Sequence, residues 1–262
     1  MSSVPDTLKA HASEKPFLDH LEDLRKTIIV CGAWLVGGML IAIPFAPKIL
    51  SLLKVPFARS GHDPDAYLKV IHLTGGLSVG MKIVFWTGLI VGMTGIVIAV
   101  CKFIFPGLTK KERHTARGAI GFAVLLFIAG VSMCYFLTLH IAIRVLMRIT
   151  EIMGSTPELI ELGDYVVFVL KLMLAFGIAF ELPVVILALG HMGLVSSSLL
   201  REKRRHVIVG LAVLAMLLTP QDPYTMVLMA LPLILLYEGC IWVIYFKERR
   251  DTRRFEEGVG RE

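Results

Sequence analysis

YVVFVLKLMLAFGIAFELPVVILALG, residues 165–190, decides the fold. At 1.5 Å per residue a helix over this run measures about 39 Å, more than the roughly 30 Å hydrocarbon core of a bilayer. Three residues interrupt it: Lys171, Glu181 and Pro183. A carboxylate inside a membrane span is costly and is by default a functional hypothesis. Pro183 has no N–H for the Ala179 carbonyl and its ring crowds that group, so the spacing predicts a kink. The freed carbonyl and Glu181 then form a polar notch. The plainer alternative is a protonated Glu181 hydrogen-bonded to a neighbouring helix, and the sequence leaves the two level. Lys171 lies ten residues earlier, about 15 Å along the axis, so the two side chains do not pair within the helix.

Five more apolar runs flank this one: Thr27–Ala46, Leu77–Phe105, Gly118–Leu139, Val207–Leu218 and Met226–Phe246. With a hydrophobic content of 56% and a mean hydropathy of +0.74, they predict an all-α polytopic membrane protein with six spans. The last two are short or broken. Val207–Leu218 makes about 18 Å of helix, and Pro232 and Glu238 interrupt the sixth run. Short spans thin the bilayer or sit tucked and partly wet, so a concave, glove-like face within the membrane is expected.

Charge sets the expected orientation. Of 27 Lys and Arg, 19 fall in the N-terminal tail, the 102–117 loop, the 201–205 cluster and the C-terminal tail, against 6 on the opposite side. Positive residues mark the cytoplasmic side, so both termini are expected there. The parts are then a cytoplasmic tail over 1–26 with an interfacial helix, a membrane domain over 27–246, and a basic cytoplasmic tail over 247–262. The net charge of +6 reads as topology, and nucleic acid is not an expected partner. The first 26 residues lack the apolar core of a cleavable signal peptide. Cys31, Cys101, Cys134 and Cys240 are dispersed, and the histidines have no zinc-site spacing, so neither a cofactor nor a metal is expected.

Acidic residues at basic membrane edges stand out. In FLDHLEDLRK (17–26), Phe17, Leu21, Leu24 and Ile28 share one helix face, with Asp19, Glu22, Asp23 and Lys26 opposite. Asp19 and Glu22 fit a capping box, which with pairing to Arg25 and Lys26 is the structural reading of these acids. Glu112 in LTKKERH (108–114) has a similar reading, capped by Thr109 at the start of the third span. The functional reading is that both places bind a cationic partner, a pair of arginines suiting them best. Asp222 before Pro223 reads as a helix N-cap. Pro44, Pro47, Pro56 and Pro64 punctuate an outer loop, with a short amphipathic stretch near Leu68–Leu77.

Four segments in order, FLDHLEDLRK (17–26), FIFPGLTKKERH (103–114), FGIAFELPVVI (176–186) and LTPQDPYTMVLMALPLILLYEG (218–239), resemble the TatC family, the multi-spanning core subunit of the twin-arginine protein translocase. The resemblance implies recognition of paired-arginine signal peptides and export of folded cargo driven by the proton-motive force. It further implies assembly with single-span TatA-type and TatB-type subunits, self-association, and a place in the cytoplasmic (inner) membrane. Carried over residue by residue, Glu112 matches the family's recognition glutamate and Phe103 the aromatic beside it. Asp23 takes the place of a second recognition glutamate in His20-Leu21-Glu22-Asp23-Leu24-Arg25, with Glu22 one position away. Glu181 matches the intramembrane glutamate of the concave face where partners dock, near Thr225 and Met226. Independently of the resemblance, Pro56 and Asp222 read as structural loop residues. The chain departs from the family at Asp23, at Met226, where a polar residue is usual, at Gly75-Gly76, and near Gly92–Val100, which lacks a proline and a Tyr-Gln pair.

Two other functions compete. A secondary transporter using Glu181 and Lys171 is the main alternative, although the repeats common in such proteins are not seen. An integral-membrane enzyme is the other, and no nucleophile–base pair or phosphate loop supports it.

Overall fold

A computed structural model describes residues 6–104, 112–154, 159–191, 195–218 and 223–259. Its helices are α1 (Asp6–Arg59), α2 (Pro64–Tyr67), α3 (Gly75–Ile104), α4 (Glu112–Met133), α5 (Leu139–Ile152), α6 (Leu162–Ala179), α7 (Leu182–His191), α8 (Ser197–Leu218) and α9 (Pro223–Val259). A π-helical turn, Cys134–Thr138, joins α4 to α5, and the two-residue strands β1 (Leu68–Lys69) and β2 (Ile160–Glu161) pair in parallel. Four stretches are long and apolar enough to cross a membrane: Leu21–Arg59, Gly75–Cys101, Gly118–Ile152 and Leu162–Leu187. A fifth, Ala230–Phe246, is shorter.

The helical class agrees with the expectation, while several boundaries do not. The first helix is one rod from Asp6 to Arg59, so Pro44, Pro47 and Pro56 lie within it and not in a loop. Pro56 removes the N–H that would bond the Leu52 carbonyl. The Tyr135 hydroxyl donates to that carbonyl at 2.9 Å, which replaces the missing partner. Pro56 itself is buried, next to the nearly inaccessible Phe57. Asp19 sits inside this rod, so it caps no helix, and the rod passes 26–27 without a break. Instead of an amphipathic stretch, residues 68–69 form β1, because pairing with Ile160 and Glu161 satisfies their backbone.

The third run also extends beyond its expected end at Leu139. Helix α5 carries it to Ile152, with Leu139, Ala142, Ile143 and Met147 buried along one face. His140, Arg144, Arg148 and Glu151 dilute its hydropathy but leave the helical spacing intact. Helix α9 likewise runs through Pro232 and past 246 without interruption. The fourth run breaks where expected. Helix α6 ends at Ala179, the Glu181 N–H turns to the Ile178 carbonyl at 3.0 Å, and α7 starts at Leu182.

The core gathers around α6. Val166, Val169 and Phe176 are fully buried in it, and a Cβ added at Gly177 would lie 2.6 Å from the Phe127 ring of α4. Helices α1 and α3 run antiparallel and touch through glycines: a Cβ at Gly92 would lie 2.8 Å from the Trp34 carbonyl oxygen. Such close seams are how helices associate where lipid removes any hydrophobic drive between them.

The end of the molecule holding β1 and β2 is tied together. Tyr165 donates to the Leu53 carbonyl at 2.7 Å and meets Phe57 edge-on at 5.5 Å. Lys82 of α3 reaches Asp164 of α6 at 3.4 Å, and Lys54 reaches Asp65 at 2.7 Å. The Lys54 ammonium holds the Asp65 carboxyl below the usual carboxylate range.

Candidate functional site

The opposite end carries the start of α1, the end of α3 and the start of α4. Glu22 and Asp23 are exposed on α1, just outside its most apolar stretch. Glu22 pairs with Lys26 at 2.9 Å, one turn along, as the structural reading of these acids anticipates. The pair is open to solvent and therefore weak, so a stronger cation can displace it. The Asp23 carboxylate is exposed, and the Thr27 hydroxyl donates to the Asp23 carbonyl at 2.8 Å.

The α1–α3 seam fixes a level. Trp34 and Leu35 lie against Gly92, and Met39 lies against Gly88. Carried three turns toward the amino end, the same antiparallel register sets Asp23 level with Ile104, one residue past Phe103. Helix α4 then begins at Glu112. The side chains of Phe103, Glu112 and Thr225 lie outside the described residues, as do Asp222 and Thr109 entirely. Helix α9 starts at Pro223, the residue after the expected cap.

Glu181 occupies the α6–α7 break. One of its carboxylate oxygens, Oε1, is buried without a hydrogen-bond partner among the described residues. Val184 of α7 packs there with Val97 and Cys101 of α3 and Ala123 of α4, and Glu181 lies within electrostatic reach of Cys101. Lys171 is exposed on α6, one more reason not to couple it to Glu181. Met226 is partly buried against the main core.

Sequence reasoning missed the partner of Glu238. Arg204 of α8 meets it at 2.8 Å, across an antiparallel pair in which Tyr237 also donates to the Leu200 carbonyl at 2.8 Å. At the mouth of this pair Glu248 accepts from the Ser197 N–H at 3.0 Å and from the Ser197 hydroxyl. A basic cluster, 201–205, directly before the short apolar run that opens at Val207, together with an acid inside the next run, was the available signal.

Comparison with known proteins bears on most of the chain. The family model described as Sec-independent protein translocase protein (TatC) matches residues 19–232. A Sec-independent protein translocase protein TatC of Deinococcus radiodurans is 34% identical over 226 residues, which is 85% of this chain and 83% of that one. A chloroplastic TATC of Pisum sativum is 32% identical over 234 residues, 88% of this chain and 64% of that protein. Among solved structures, a crystal structure of a twin-arginine translocase receptor TatC superimposes with a TM-score of 0.77 at 33% identity, covering 86% of this chain and 99% of the other. With its family segments in order on a matching set of membrane-length helices, this chain belongs to the TatC family of Sec-independent protein translocase proteins.

Proposed function

We propose that this membrane protein is the signal-recognition and scaffold subunit of a twin-arginine translocase. It binds paired-arginine signal peptides of folded cargo at Asp23, Glu22, Phe103 and Glu112. The observation that carries this reading is the exposed Glu22–Asp23 pair on α1, level with the end of α3, with α4 opening on Glu112 nearby in the chain. A guanidinium forms two parallel charge-assisted bonds with a carboxylate, whereas an ammonium acts as a point charge. Two arginines meeting two carboxylates at a partly dehydrated edge are thereby preferred over two lysines. The basic residues around both acids, Arg25, Lys26, Lys110, Lys111 and Arg113, repel cationic segments that lack this geometry.

The rest of the proposal follows the family. The chain lies in the cytoplasmic membrane with six spans and both termini cytoplasmic, α8 and α9 supplying the last two, and the short spans leave a concave, glove-like face. Residues 1–26 and 247–262 are its cytoplasmic parts. Single-span TatA-type and TatB-type subunits dock near Glu181, Thr225 and Met226, further copies of the chain associate, and the proton-motive force drives export. The chain performs no covalent chemistry of its own. The buried Oε1 of Glu181, without a hydrogen-bond partner among the described residues, supports that docking site, because a partner helix bringing a donor satisfies it.

The test is crosslinking of a paired-arginine signal peptide to the full chain in membrane vesicles. Glu112→Ala is expected to lower it about tenfold, the scale of one lost hydrogen bond to a charged group. Asp23→Ala alone should lower it less, because Glu22 shares the contact, and the Glu22/Asp23 double change should match Glu112→Ala. Undiminished crosslinking in all three variants removes these acids from the site. Glu181→Ala should keep signal crosslinking while weakening export; normal export makes Glu181 structural.

A further inference from the structure

Beside the Arg204–Glu238 pair a cavity of about 440 Å³ opens, lined by Arg201, Arg204, Glu238, Ile241 and Trp242. Nearby, two guanidinium groups gather on one ring, with Arg201 4.7 Å and Arg249 5.0 Å from the Tyr245 centroid. Each stacking contributes a modest attraction. Among the described residues, Glu202 pairs with Lys203 at 3.1 Å, Glu238 with Arg204 at 2.8 Å, and Glu248 accepts from Ser197. Arg201 and Arg249 close no ion pair among the described residues. Two guanidinium groups at one ring repel each other, and an anion within reach of both offsets that repulsion.

The level of the cluster says which anion. Trp242, Tyr245 and Phe246 form an aromatic group at the end of the apolar part of α9, the position such residues take at a membrane–water interface. Toward the apolar side the cavity is floored by Ile241 and Trp242, and Trp242, Val243 and Phe246 continue outward as an exposed apolar surface. A free phosphate has no use for that surface, whereas a phospholipid does: its phosphate sits among the arginines and its acyl chains run down along α9. We propose that the α8–α9 mouth is a binding site for an anionic phospholipid, Arg201, Arg249 and Arg204 holding the phosphate and Trp242 the first part of a chain. The proposal rests on the membrane location of the chain and not on signal recognition.

The probe is phosphatidylglycerol added to the purified full chain in detergent, with bound lipid counted by native mass spectrometry. The unaltered chain should hold phosphatidylglycerol in preference to phosphatidylcholine, and millimolar inorganic phosphate should not displace it. Arg201→Gln with Arg249→Gln should weaken phosphatidylglycerol binding about tenfold or more, each interfacial cation contributing severalfold. Arg201→Lys with Arg249→Lys should recover most of it. Arg144→Gln with Arg148→Gln on α5, near the opposite end, should leave it unchanged. Equal retention of the two lipids by the unaltered chain overturns the proposal without any variant. So does displacement by free phosphate, or full retention by the doubly substituted glutamine variant.

Discussion

Helices α1 and α6 are both membrane-length and apolar, yet they use their surfaces in opposite ways. Half of the most apolar window of α6–α7 is buried within the chain, against 11% of that of α1. Ile28 and Leu40 on α1 are each 62% exposed, while Phe176 on α6 is 0% exposed. In water the α1 surface would aggregate; in a bilayer its partner is lipid or another helix. The contrast teaches that hydropathy locates a span but says nothing of its neighbours. Small residues carry that information, as at Gly92 for α1 and Gly177 for α6. It also leaves Glu22 and Asp23 of α1 exposed.

The sharpest way to break the comparison is to hollow out α6. Phe176→Ala removes a fully buried ring and should cost about 3 kcal/mol or more, seen as a large fall in unfolding temperature in detergent. Leu40→Ala, the matching change on α1, should fall within about 0.5 kcal/mol. Similar effects for the two would erase the distinction. Next in size, Gly92→Val sets a branched side chain against the Trp34 backbone and should cost about 1–3 kcal/mol by forcing α1 from α3. A cysteine pair reporting the α1–α3 distance should show the separation, and an unchanged distance would deny the seam. Smallest, Tyr135→Phe leaves the Leu52 carbonyl without the donor that compensates for Pro56, and about 1–2 kcal/mol should be lost. If Tyr135→Phe is neutral in thermal unfolding, Pro56 is tolerated for another reason.

Much of this was legible beforehand, because membrane helices announce themselves by length and apolarity. The break at Glu181 was readable from Pro183 alone, since a missing N–H and a ring clash are local effects. Pro56 shows the limit of the same rule. Its missing bond is made good by Tyr135, distant in sequence, so a residue read as a loop marker lies inside a rod. Helix α5 was hidden because Arg144 and Arg148 lower its hydropathy while Leu139, Ile143 and Met147 keep its buried face. The β1–β2 pairing involves two residues on each side, too few for any periodicity. As for the site, the acids of α1 and Glu112 stood out by their sign against basic surroundings, whereas the Arg204–Glu238 pair required knowing that α8 and α9 run side by side.

The central claim is that carboxylates at the open end of α1 and the start of α4 grip two neighbouring guanidinium groups. Site-specific photocrosslinking from position Phe103, which leaves Asp23 and Glu112 in place, to a signal peptide carrying Arg-Arg, set against the same peptide carrying Lys-Lys, tests it most directly. The probe should crosslink the arginine peptide and lose about tenfold in yield with lysines, the scale set by forked against point-charge bonding. Equal yields with both peptides would contradict the account.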